Sequence, residues 1–140
     1  MRRTDRRSDC PINYALQAFG DSWSLLVMRD MMFVGKRTFA DFIESEERIS
    51  TNVLSSRLRD LAERGLIRRD GRGRAVRYSL TPMGLDLLPA MLELILWSAR
   101  HDPDTAAPPE FVARAVASRS DVLEDLRKQL IATHEIEGVA

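Results

Sequence analysis

The chain has 140 residues, 44% of them hydrophobic and 30% charged, with a formal net charge of zero. That length suits one domain with appended helices, the apolar fraction excludes a wholly disordered chain, and a neutral total argues at first against a nucleic-acid partner. The distribution reverses the last point: residues 46–80 hold nine arginines against five acids, while residues 101–140 hold four basic residues against eight acidic ones.

Residues 1–9 are polar and carry four arginines, which reads as a mobile basic arm; no apolar segment follows, so they do not resemble a secretory signal. Cys10 is the only cysteine, which excludes an internal disulfide and fits a reducing cytoplasm. No apolar run is expected to reach the ~20 residues that span a bilayer. A helix is expected to start at Pro11, where the missing N–H costs nothing, with Ile12, Ala15, Leu16 and Phe19 at helical spacing and Gly20 as its end. Asp21 or Ser22 can cap a second helix, "WSLLVMRDMMFVG", stopped by Gly35. Thr38 and Asp41 have the spacing of a capping box and open a short third helix, "FADFIES".

Residues 50–64 form the most informative element. Ser50 is the expected cap, and Leu54, Leu58 and Leu61 fall within ~40° of one another on a helical wheel. Asn52, Ser56, Arg59 and Glu63 lie roughly opposite, with Ser55 flanking them. Gly65 has the position of a left-handed stop, with Leu66 as its apolar closing contact. The period then changes: "LIRR" and "AVRYSL" read as two strands joined by "DGRGR", whose Gly71 and Gly73 suit a tight hairpin. Thr81 and Pro82 are expected to cap and start a long helix through residue 100, kinked or split by Pro89. Residues 101–109 are a proline-rich linker, and an acidic helical extension occupies 110–140, with a break expected near residues 118–120.

Together these elements describe a mainly α chain with a small β-hairpin: a winged helix-turn-helix over residues 10–100, with additional N- and C-terminal helices. The second helix of such a pair enters a DNA major groove ~12 Å wide only if its leading face carries short polar groups. The motifs "CPINYALQAFGDSWSLLVMRDM", "GKRTFADF", "ISTNVLSSRLRDLAERGLI" and "YSLTPMG" resemble the HxlR-type helix-turn-helix transcriptional regulators, in the right order over residues 10 to about 95. The resemblance implies a dimeric, DNA-binding winged helix whose terminal helices form the dimer interface. The chain departs from the family's usual pattern in its short, Arg-rich wing and in the acidic tail after residue 101.

Ser50, Thr51, Asn52, Ser55, Ser56 and Arg59 are thus the candidates for contacts at or near bases, since Asn pairs with adenine and Arg with guanine through two hydrogen bonds. Five arginines fall between residues 68 and 77 and would repel one another without a polyanion. Of these, Arg72 and Arg74 at the tip are the candidates for backbone or minor-groove contact. Lys36 and Arg37 could hold a phosphate where the third helix begins. Cys10, at a helix N-cap near Arg6 and Arg7, is a candidate redox sensor, weighed against a purely structural cysteine. Ile12, Leu16, Leu94 and Trp97 are candidates for a two-fold interface, which would impose a palindromic operator. Methionines 28, 31, 32 and 83 could line a small-molecule effector pocket or simply fill the core.

No metal-ligand cluster, catalytic triad or dinucleotide fingerprint is present in the sequence, so neither an enzyme nor a cofactor is expected. The competing reading is a winged-helix protein–protein adaptor that does not read DNA sequence. A membrane-surface module fits less well, because the basic residues sit on a hairpin and not opposite an apolar helix face.

Overall fold

The computed structural model describes residues 6–139, so residues 1–5 of the expected arm lie outside the described residues. The chain divides into two compact units, the first ending at Thr81 and the second starting at Pro82.

The first unit holds α1 (Pro11–Phe19), α2 (Ser24–Arg29), α3 (Phe39–Ile43), α4 (Thr51–Glu63) and an antiparallel pair of strands, β1 (Ile67–Asp70) and β2 (Arg77–Leu80). Pro11 occupies the first turn of α1, as its fixed φ favours. Asp21 takes the capping role before α2: its carboxylate accepts the backbone N–H groups of Trp23 (2.9 Å) and Ser24 (3.0 Å). The expected second helix is regular only to Arg29 and then widens into a π-helical turn, Asp30–Val34. A π turn carries an extra residue, and here it lets Asp30, Met31 and Met32 follow Val27 and Met28 into the interior. The capping box of Thr38 and Asp41 forms as expected, and the Ser50 hydroxyl accepts the Val53 N–H at 3.2 Å.

Leu54, Leu58 and Leu61 are all at most 2% exposed and make α4 the wall of a core that includes Val27, Phe42, Leu66 and Leu80. Gly65 adopts φ +83, and the Leu66 N–H reaches back to the Leu61 carbonyl at 3.0 Å, closing the helix as a left-handed stop does. The hairpin pairs Ile67 with Leu80 and Asp70 with Arg77. Its second strand starts at Arg77, two residues later than expected, because Gly73–Ala75 form a 3-10 turn. The Thr81 hydroxyl donates to the Gly65 carbonyl, tying the end of β2 to the end of α4.

The second unit holds α5 (Pro82–Leu85), α6 (Leu88–His101), α7 (Pro109–Ala117) and α8 (Arg119–Thr133). The expected long helix is therefore split at residues 86–87, leaving Pro89 in the first turn of α6, where it is tolerated. The C-terminal region breaks at Ser118, within the expected span. Leu92 and Leu96 of α6 pack with Ala115 of α7 and Val122 of α8, flanked by Phe111, Val112, Leu123 and Leu126. By length and composition Pro82–His101 is apolar enough to cross a membrane, at mean hydropathy 1.2, which corrects the expectation that no run would be. A core helix passes the same test, and the side chains Leu92 and Leu96 present to α7 and α8 are those of a core helix.

Candidate nucleic-acid interface

The two faces of α4 differ sharply. Its leucines are buried, whereas Thr51, Asn52, Ser55 and Arg59 are exposed. Ser50 is exposed too, but its hydroxyl is committed to the cap. Ser56 is half-buried and accepts a hydrogen bond from Arg57 at 3.2 Å. Arg57 also pairs with Asp60 (2.9 Å) and lies 3.7 Å from Asp21. Asn52 and Ser56 share with Asp21, Trp23, Val53 and Arg57 an open groove.

The arginines sort into two classes. Arg29, Arg37, Arg57 and Arg68 bond to other groups of the fold. Among the described residues of the first unit, the side chains of Arg48, Arg59, Arg69, Arg72, Arg74 and Arg77 are exposed and make no hydrogen bond or ion pair. Arg69 and Arg77 belong to the five hairpin arginines of the sequence, ranked there behind Arg72 and Arg74; Arg48 joins them only here. Arg48 stands in the turn between α3 and α4 at φ +60, a left-handed conformation that a bulky residue rarely adopts. No local sequence signal marks it.

The wing owes its shape to Gly71. At φ +87, a Cβ there would sit 2.3 Å from the Ala75 carbonyl oxygen, so only glycine fits the loop that carries Arg72 and Arg74.

Lys36 and Arg37 face inward to other partners. The Lys36 amine donates to Ser45 Oγ at 2.9 Å and lies 3.8 Å from the buried Asp30 carboxylate. Arg37 donates from Nε to the Tyr78 carbonyl (3.2 Å) and from Nη2 to Ser79 Oγ. At the start of α3, where these two were expected to hold a phosphate, the Asp41 carboxylate accepts the N–H groups of Arg37 and Thr38, each at 3.1 Å. Those hydrogen bonds, the Arg37 N–H foremost, hold the Asp41 carboxyl below its ordinary range.

The turn before α4 is clamped by the same ion cluster around Asp30. Arg29 donates two hydrogen bonds to Glu47, at 2.6 and 2.9 Å, and two more to Asp30 Oδ1, at 2.8 and 3.0 Å. Those bonds from Arg29 lower the Glu47 carboxyl to about 2. The turn that leads into α4 is thereby tied to the end of α2.

Cys10 is exposed at the N-cap of α1, with no side-chain cap bond. Arg6 and Arg7 are turned to other partners, Asp9 and the Tyr14 ring for the first and Asn13 for the second. Ile12 and Leu16 of the first unit are 69% and 53% exposed, and Leu94 and Trp97 of the second are 49% and 61% exposed. Met28, Met31 and Met32 are core residues. No methionine lines the groove beside Asn52 or the smaller cavity walled by Trp23, Phe42 and Ile49. Met28, Met31 and Met32 fill gaps in the core, as methionines usually do, whereas Met83 is 40% exposed.

A family model for HxlR-like helix-turn-helix proteins matches residues 18–105. The HTH-type transcriptional regulator MT3179 of Mycobacterium tuberculosis is 35% identical over 101 residues, which cover 70% of this chain and 63% of that protein. The chain spans less than two thirds of the length of such curated relatives. Among solved structures, PA1607, described as a transcription factor, superimposes with a TM-score of 0.65 at 30% identity, covering 75% of each chain. The redox regulator HypR in its reduced form superimposes with a TM-score of 0.59 at 28% identity, covering 68% of this chain and 95% of that one. These proteins are regulators of transcription, not enzymes.

Proposed function

The chain belongs to the HxlR-like helix-turn-helix family of transcriptional regulators, and on that premise we propose that it is a dimeric, cytoplasmic repressor of a palindromic operator. Helix α4 reads the major groove through Thr51, Asn52, Ser55 and Arg59, while Arg72 and Arg74 of the wing contact the sugar-phosphate backbone or the minor groove. The observation that carries this reading is the segregation of arginines: the side chains of Arg29, Arg37, Arg57 and Arg68 are bonded within the fold, and those of Arg59 on α4 and of Arg69, Arg72, Arg74 and Arg77 on the hairpin are exposed and free. Free, like-charged arginines concentrated beside a small-residue helix face are what a polyanion attracts.

Dimerisation draws support from the exposed apolar stripe on α6, where Leu94 and Trp97 stand three residues apart, and from Ile12 and Leu16 on α1. A C2 pair of such chains would present two α4 helices about 34 Å apart, one turn of DNA. Repression follows as the simplest action of a small dimer that occludes a promoter.

The test is a titration of the reduced protein against its own upstream DNA and a shuffled duplex at two salt concentrations. The expected result is salt-sensitive binding that prefers the native sequence, with Arg59→Ala losing about 1–3 kcal/mol of that preference. Equal, weak, salt-insensitive binding to both duplexes would instead favour a protein–protein adaptor. Exposure of Cys10 supports a further arm of the same titration: mild peroxide should change operator affinity in the wild type and not in Cys10→Ser.

A further inference from the structure

Ser79 is completely buried on β2, and a buried hydroxyl needs partners. It accepts a hydrogen bond from Arg37 Nη2 and lies 3.4 Å from Asp70 Oδ2, which in turn accepts from Arg68 Nε at 3.0 Å. Arg37 grips the same strand twice more. Its Nε donates to the Tyr78 carbonyl, and its own carbonyl accepts the Tyr78 N–H at 2.7 Å. On the α3 side, the Arg37 N–H is held by Asp41 within the capping box. A continuous polar chain thus runs from α3 through Arg37 and Ser79 to Asp70, where the wing loop begins. Beyond Asp70, the guanidinium groups of Arg72, Arg74 and Arg77 have no partner among the described residues.

A two-stranded hairpin is barely stable by itself and holds a direction only when something braces it. We propose that Arg37 is a positioning residue for DNA binding: it braces the base of the wing through Ser79 and the Tyr78 carbonyl, so that the tip arginines meet phosphate. The inference rests on the DNA-binding reading and assigns Arg37 no phosphate of its own. It also demands a guanidinium. The planar fork reaches two acceptors on one strand from fixed directions, which the single ammonium of lysine does not.

The experiment measures anisotropy of the full chain with a labelled random-sequence duplex over a range of salt. The variants are Arg37→Lys, Ser79→Ala, the pair Arg72→Ala with Arg74→Ala, and each of the first two combined with that pair. Thermal melting confirms that every variant is folded at the assay temperature. Arg37→Lys keeps the charge but should weaken binding roughly tenfold, and Ser79→Ala, which alters a residue DNA cannot touch, should act in the same direction. Both should flatten the salt dependence by up to ~0.9 for each phosphate that the wing no longer reaches. In the wing-deficient background neither should have a further effect, because the brace then has nothing to position. Wild-type affinity in Arg37→Lys, or losses that add to those of the wing pair, would overturn the proposal alone. Where Arg37→Lys does not fold, the Ser79→Ala cycle decides on the same criteria. A wild-type chain that binds no duplex even at low salt would overturn the DNA-binding reading, and this inference with it.

Discussion

Replacing Glu47 by Gln removes one charge from the clamp before α4 and leaves the side chain's shape and an accepting oxygen in place. In the folded chain two hydrogen bonds from Arg29 hold the Glu47 carboxyl at about 2, against an ordinary 4.5. The folded state therefore keeps the carboxylate charged at pH values where the unfolded chain has already bound a proton. Its stabilisation is complete above the unfolded value and is lost as pH falls from about 4.5 towards 2. The Arg29 and Glu47 side chains are 30% and 36% exposed, so solvent screens the pair and reduces its contribution to about 1 kcal/mol. Urea unfolding followed by tryptophan fluorescence, for wild type and Glu47→Gln, should give a gap of about that size near neutral pH. The gap should close as pH approaches about 2–3, whatever the other carboxylates do, because they titrate in both proteins. A gap that stays constant across that range would refute the assignment of the stabilisation to the Arg29–Glu47 charge pair, and so would a variant as stable as wild type near neutrality.

Gly71→Ala forces a Cβ against the Ala75 carbonyl at φ +87, so the wing loop must rebuild; melting should report a loss of about 1–3 kcal/mol, and DNA affinity should fall with it. An unchanged melting temperature would mean that the loop reaches its shape another way. Leu58→Ala opens a cavity behind α4, in a side chain only 2% exposed, and should cost about 2–5 kcal/mol in chemical denaturation. Trp97→Asp places a charge on the exposed stripe of α6 and should convert a two-chain species into a one-chain species in sedimentation equilibrium. A wild-type chain already of monomer mass would remove the dimer from the proposed function.

What the sequence determined by itself is whatever depends on neighbours within a helical turn or two. The caps at Thr38 and Ser50, the leucine face of α4, the stop at Gly65 and the positive-φ glycine of the wing all arise from interactions spanning a few residues. Periodicity and turn chemistry report such interactions directly. Because the helix pattern and the Gly-Arg hairpin follow one another in order, the winged-helix architecture and the outward face of α4 were legible in the sequence. The tertiary structure alone decided where the long side chains go. Lys36 finds Ser45 nine residues away, Arg29 finds Glu47 at eighteen, and Arg37 finds Ser79 at forty-two. A positive charge in the sequence looks the same whether it awaits a phosphate or is already matched by the fold. Only the folding that brings distant acceptors within hydrogen-bond reach separates the two, which is why Lys36 and Arg37 could be read as phosphate ligands, while Arg69 and Arg77 ranked behind the wing tip and Arg48 was not a candidate at all. The π turn at Asp30 has the same origin: the buried cluster that Asp30 joins, with Arg29, Lys36 and Ser45, exists only once α2 and the turn before α4 have met.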